Sequence, residues 1–169
     1  MPIPLQRVTT VYNNHEDRIQ ISAEDAKGRV VVLWLTQRLL KRLLPALIEW
    51  YEEKSAGNRI GSEIRLNFEQ VSAVSRLKPQ PPVASETSID AGVIESIDIK
   101  RGADGVRLVF KTQRFEPAEL SFGDVALRQW LDIVYRVYLS AEWTGVQWPD
   151  WLQDVRRKEQ RPAKGRVVH

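Results

Sequence analysis

The densest group of titratable side chains in this 169-residue chain is the triplet His15-Glu16-Asp17. A histidine beside carboxylates has the parts of a general base with an acid to orient it. The triplet follows Asn13-Asn14, however, and asparagines tolerate the backbone of a tight turn. No apolar run brackets it, so it reads as a polar hairpin tip. The carboxylate pairs Glu24/Asp25 and Glu52/Glu53 meet the same objection. A glycoside-hydrolysing pair needs one carboxyl raised by apolar surroundings, and these read as solvated surface. There is no Gly-x-Ser-x-Gly elbow, no phosphate-cradling glycine loop and no His-Glu-x-x-His zinc helix. No catalytic residue is named, and the chain is expected not to be an enzyme.

Cysteine is absent, and the two histidines are His15 and His169. That removes thiolate nucleophiles, disulfides and the usual zinc sets, so no metal or cofactor is expected.

Aromatic and basic side chains carry the remaining chemistry. Of six tryptophans, Trp34, Trp50 and Trp130 fall on apolar periodic positions and belong to a core. Trp143, Trp148 and Trp151 cluster near the C-terminus. They read as a strap across the body, as anchors for a partner protein, or as a stacking platform for sugars or bases. Arg156, Arg157, Lys158, Arg161, Lys164 and Arg166 form a basic run suited to phosphate contact without sequence selectivity.

Charge weakens that last reading. Of 25 basic and 22 acidic side chains, six and three fall in residues 150–169, which leaves 19 of each in residues 1–149. The body is neutral, whereas a duplex-binding body carries its own basic surplus. No apolar run is long enough to span a bilayer, and a cytoplasmic location is expected.

Periodicity supplies the elements that would position these groups. Strands are expected over residues 5–12, 18–22 and 30–36, then a helix over 37–53; a second set covers 93–100, 106–111 and 118–122, with a helix over 124–142. From the second strand on, the two sets stay in register 87 positions apart, pairing Ile19 with Val106, Leu33 with Leu120 and Tyr51 with Tyr138. The expected fold is α+β: an antiparallel sheet from two pseudo-symmetric βββα units, two long helices packed on it, and a short C-terminal helix. Residues 1–149 form one domain, with repeat units 5–53 and 93–142 and a linker over 54–90; residues 150–169 form the short helix and a loose basic tail.

Val30-Val31-Val32-Leu33-Trp34-Leu35 is apolar on both faces, which predicts a central strand covered on both sides. Thr36 is placed to cap the first helix, and Pro45 is expected to bend it. In the linker, residues 55–62 read as loop and 67–77 as a short helix with Phe68, Val71 and Val74 on one face. Lys78-Pro79-Gln80-Pro81-Pro82 reads as an extended, mobile connector.

Three functional expectations follow, in order. The first is a non-catalytic protein-interaction or assembly module, acting on another protein or on itself. The second is nucleic-acid association through the basic tail. The third is a small-molecule or enzymatic pocket between the repeats.

Overall fold

The structure, a computed structural model, describes residues 1–55 and 59–159. Its elements are β1 (Ile3–Asn13), β2 (Arg18–Asp25), β3 (Val30–Leu35), α1 (Gln37–Lys54), α2 (Arg59–Ser75), β4 (Asp90–Val93), β5 (Ser96–Arg101), β6 (Gly105–Lys111), β7 (Ala118–Gly123), α3 (Asp124–Ser140) and α4 (Asp150–Glu159). The fold is α+β, with helices packed on one seven-stranded sheet of order β4-β3-β2-β1-β7-β6-β5.

Alternation in sequence sets which side chains turn inward. Ile19, Ile21 and Ala23 of β2, Leu33 and Leu35 of β3, and Leu108 and Phe110 of β6 are all completely buried. Along α1, Leu40, Leu43, Leu44, Leu47, Ile48, Trp50 and Tyr51 form the buried stripe, and α3 supplies Leu127, Trp130, Leu131, Val134, Tyr135 and Tyr138. The Thr36 hydroxyl accepts from the Leu39 amide at 3.3 Å and caps α1 as expected. The helix continues unbroken through Pro45, whose ring lies on the exposed side.

An antiparallel sheet was expected; the sheet is mixed. β1 pairs in parallel with β7 over Ile3–Leu5, and β3 pairs in parallel with β4. The strand expected over residues 93–100 is two strands, and they form the two edges of the sheet. Between them lie only Ile94 and Glu95. The Ile94 amide donates to the Trp34 carbonyl and the Glu95 amide to the Lys111 carbonyl, both at 2.9 Å. Consecutive residues thus pass the chain from β3 to β6, so the sheet curls until its edges meet. Curling removes most of the open edge that a flat sheet would expose.

The helices fill the curl. α3 packs against β1, β6 and β7, and α1 reaches across to β5. There the Arg101 guanidinium donates to the Ala46 carbonyl at 2.9 Å and lies 3.7 Å from both Glu49 and Glu53. The Tyr51 hydroxyl, at the end of α1, donates to the Asp124 carbonyl at the start of α3 at 2.7 Å.

Two expectations about the linker are corrected. Residues 59–62 belong to α2, which is longer than the helix expected over 67–77. The proline connector is bound to the body. Arg7 donates to the Pro81 carbonyl at 2.9 Å, the Val83 amide donates to Thr9 Oγ1 at 2.8 Å, and the Val83 side chain is buried. Extended backbone with few donors of its own suits crossing a sheet whose outward groups can bond to it. β3 is covered on both faces, since Val30 and Val32 are buried as well as Val31 and Leu33.

Candidate functional site

Helix α2 exposes an apolar row and buries a polar side chain. Ile64, Phe68 and Val71 follow one another at helical spacing on its outer side, and their exposures are 68%, 72% and 37%. Its inner side buries Leu66 and Ala73, but also Gln70, which is completely buried. Amphipathic helices ordinarily turn the apolar face inward. Here polar bonds replace much of that contact.

The chief bond is to Arg128, a guanidinium with 2% exposure in the second turn of α3. Its Nη2 lies 2.8 Å from Glu69 Oε2, its Nη1 donates to the Leu66 carbonyl at 3.4 Å, and its Nε lies 3.5 Å from Asp124 Oδ2. The planar group also sits 4.2 Å over the Tyr51 ring and 5.7 Å from that of Trp151. A guanidinium tolerates this burial because it is weakly hydrated and its fork and faces find partners separately. Around it, Gln70 donates to the Arg128 carbonyl at 3.0 Å, Gln129 to the Ala73 carbonyl at 2.9 Å, and Asn67 to the Trp151 carbonyl at 3.3 Å. These bonds tie α2 to α3 and α4 and leave its apolar row facing solvent.

This cluster has the parts of a catalytic site but not the arrangement. Tyr51, Lys54, Arg65, Glu69, Asp124 and Arg128 surround a cavity of about 100 Å3. Burial, and then the Asp124 carboxylate, push the Tyr51 phenol far above its usual range, so it remains a donor to a carbonyl. Glu69 is occupied by Arg65 and Arg128. Among the described residues, no group of His, Asp and Glu is placed to hold a metal.

The sequence-derived sites fall in different places. Trp143, Trp148 and Trp151 are buried, with exposures of 8%, 8% and 5%. Their rings pack edge-on or tilted against rings of the chain itself: Trp143 meets Tyr12 and Tyr138, Trp148 meets Tyr135 and Tyr138, and Trp151 meets Tyr51. The three indoles are thus packed against the body of the chain. Arg156, Arg157 and Lys158 are in the backbone of α4, their side chains outside the described residues. Arg161, Lys164 and Arg166, with the rest of the expected tail, also lie outside them.

The triplet at the β1–β2 turn is neither catalytic in layout nor without partners. Asn13 Oδ1 accepts from the amides of His15 and Glu16, both at 3.1 Å. Asp17 takes a left-handed φ of 47°, and its carboxylate accepts from the Tyr12 hydroxyl at 2.6 Å and the Trp143 indole at 3.1 Å. Those two bonds, Tyr12 first, hold the carboxyl below its usual range. Nor is Asp25 solvated. Burial would raise its carboxyl, but bonds from the Arg29 amide and guanidinium and the Lys27 amide outweigh that and lower it.

The sequence signals for the Arg128 cluster were faint. Arg128 interrupts the apolar stripe of α3 beside Leu127 and Leu131, which marks it for a buried partner but does not name one. Phe68 and Val71 were correctly placed on one face of a helix; the sign of that face was not readable.

Compared with known proteins, the chain matches no family model, no curated protein and no solved structure. Among the described residues, no helix is long and apolar enough to cross a membrane.

Proposed function

We propose that this chain is a non-catalytic protein-interaction module whose contact surface is the outer side of α2. The observation that carries the reading is the exposed row Ile64-Phe68-Val71 on a helix pinned from behind by Arg128. Scattered apolar side chains at a surface mean little, but a row spaced by one helical turn matches how a helix lies in an apolar groove of another protein. The row contributes nothing to this chain's own core. A rigid backbone lowers the ordering cost of binding.

The test compares wild type with Phe68→Glu, both immobilised and exposed to soluble extract of the source cells. Wild type should retain a protein that Phe68→Glu loses while melting at the same temperature. An identical retained set for both removes the reading. Sedimentation of the purified chain at rising concentration distinguishes a foreign partner from a second copy.

A doubled architecture belongs to the same proposal. What supports it is register. Ile19 opposes Leu35 and Ile21 opposes Leu33, and 87 positions on Val106 opposes Phe122 and Leu108 opposes Leu120. The parallel seams agree too: Ile3 opposes Ala118 and Leu5 opposes Leu120, while Asp90 opposes Val31 and Gly92 opposes Leu33. Each seam joins the first strand of one unit to the third of the other, the pattern of two units related by a dyad. A cytoplasmic location, consistent with a chain free of cysteine, completes the reading.

A further inference from the structure

We propose that the free edge of β1 takes up an extended acidic peptide as an added strand, at a place separate from the α2 row. After Leu5 the pairing of β1 with β7 stops, whereas its pairing with β2 continues to Asn13. Two hollows follow that freed edge. One, of about 600 Å3, is lined by consecutive residues from Leu5 to Thr10 and walled by Leu77, Phe122 and Trp130. The other, of about 410 Å3, is lined by Thr10, Val11 and Tyr12 against Ile133, Arg136 and Val137. They share Thr10 and Ile133 and so form one groove. Eight residues of strand span roughly 26 Å, room for a peptide of six to eight residues.

The junction of β5 with α1 shows what a closed version looks like. Between β5 and α1, Arg101 bonds to the Ala46 carbonyl and to Glu49 and Glu53. Tyr12 holds the position on β1 that Arg101 holds on β5, each opposite the inward residue that opens the next strand (Ile19, Val106). Tyr12 turns instead to Asp17 and Trp143, while from α3 the Trp130 indole donates to Thr10 Oγ1 of β1 at 3.1 Å. The groove stays open.

Its charge selects the occupant. The lining residues include Arg7, Arg76, Lys78 and Arg136 and no carboxylate. Arg7 is engaged by Glu24 and the Pro81 carbonyl and Arg136 by Asp132, while Arg76 and Lys78 have no carboxylate partner among the described residues. An unpaired strand edge offers amides and carbonyls in register, apolar walls receive alternate side chains, and the cations favour acidic ones between them.

The experiment uses the full chain and a labelled octapeptide of alternating valine and glutamate, followed by anisotropy and by amide shifts in a 15N spectrum. The peptide should shift the amides of residues 6–12. The valine–lysine counterpart should bind at least about tenfold more weakly. Ala126→Trp, which fills the groove from an exposed position on α3, and the pair Arg76→Glu/Lys78→Glu should each weaken binding about tenfold with melting unchanged, whereas Phe68→Glu should not. Absent shifts at millimolar peptide, shifts elsewhere, or equal binding of both peptides would overturn the proposal. Tighter binding of an oligothymidylate in the same groove would overturn it in favour of nucleic acid.

Discussion

The Arg128 guanidinium and the Glu69 carboxylate meet at 2.8 Å, the first almost wholly buried and the second one-third exposed. The pair joins the second turn of α3 to the middle of α2, 59 residues apart in the chain. It sets α2 with its polar side inward. The exposed apolar row on α2 is a consequence of this choice of partner.

Arg128→Met keeps most of the volume but removes the ion pair, the carbonyl bond and the ring stacking. Glu69 can recover some hydration, so the loss should fall at the low end for a broken buried pair, about 3 kcal/mol. Urea denaturation of Arg128→Met, Glu69→Gln and the double variant measures it. Additive losses would mean that the two side chains do not act on each other.

Phe68→Gln should leave stability within about 0.5 kcal/mol, because a ring that is 72% exposed contributes little to the fold. Leu66→Ala, two residues away and buried, should cost about 2–4 kcal/mol. Comparable losses for both would mean that the α2 row packs against something in the free chain.

Asp17 ties the β1–β2 turn to Trp143, and its carboxyl is lowered by the Tyr12 hydroxyl and then the Trp143 indole. A lowered carboxyl contributes stability that is present above its unfolded-state value, about pH 4, and is lost as pH falls through the folded value. Wild type should therefore be more stable than Asp17→Asn at pH 7, with the gap closing below about pH 4. Thermal melts across that range, read by tryptophan fluorescence, check it. A gap independent of pH removes the role of the charge.

Gly92 sits where the curled sheet closes. A Cβ there would lie 3.0 Å from Thr112 Cβ and 3.2 Å from Phe115 Cε1. Thr112 cannot easily retreat, since its hydroxyl accepts from the Arg114 and Phe115 amides. Gly92→Ala should cost about 1–3 kcal/mol and Gly92→Val more. Gly102→Ala, with its nearest neighbour at 3.5 Å, is the control in calorimetry. Equal melting of both variants would place the closure elsewhere.

The elements and their inward faces were legible because periodicity is a local property. Alternation marked Ile19, Ile21 and Leu108 for the interior, and the 3.6-residue rows marked Leu40, Leu44 and Leu131. The Thr36 cap and the coverage of β3 on both faces were equally readable from neighbours in sequence. Partner choice was not, because no period reports which distant group completes a bond. Asp17 meets Trp143 across 126 positions, Arg7 meets Pro81 across 74, and β1 turns from β2 to β7 by a parallel seam only three residues long. Only the folded chain decided that Arg128 would be solvated by Glu69 and two aromatic rings, and hence that Phe68 would face water. Burying that one charge required polar groups from α2 on the inside, and a helix has only one other side to show.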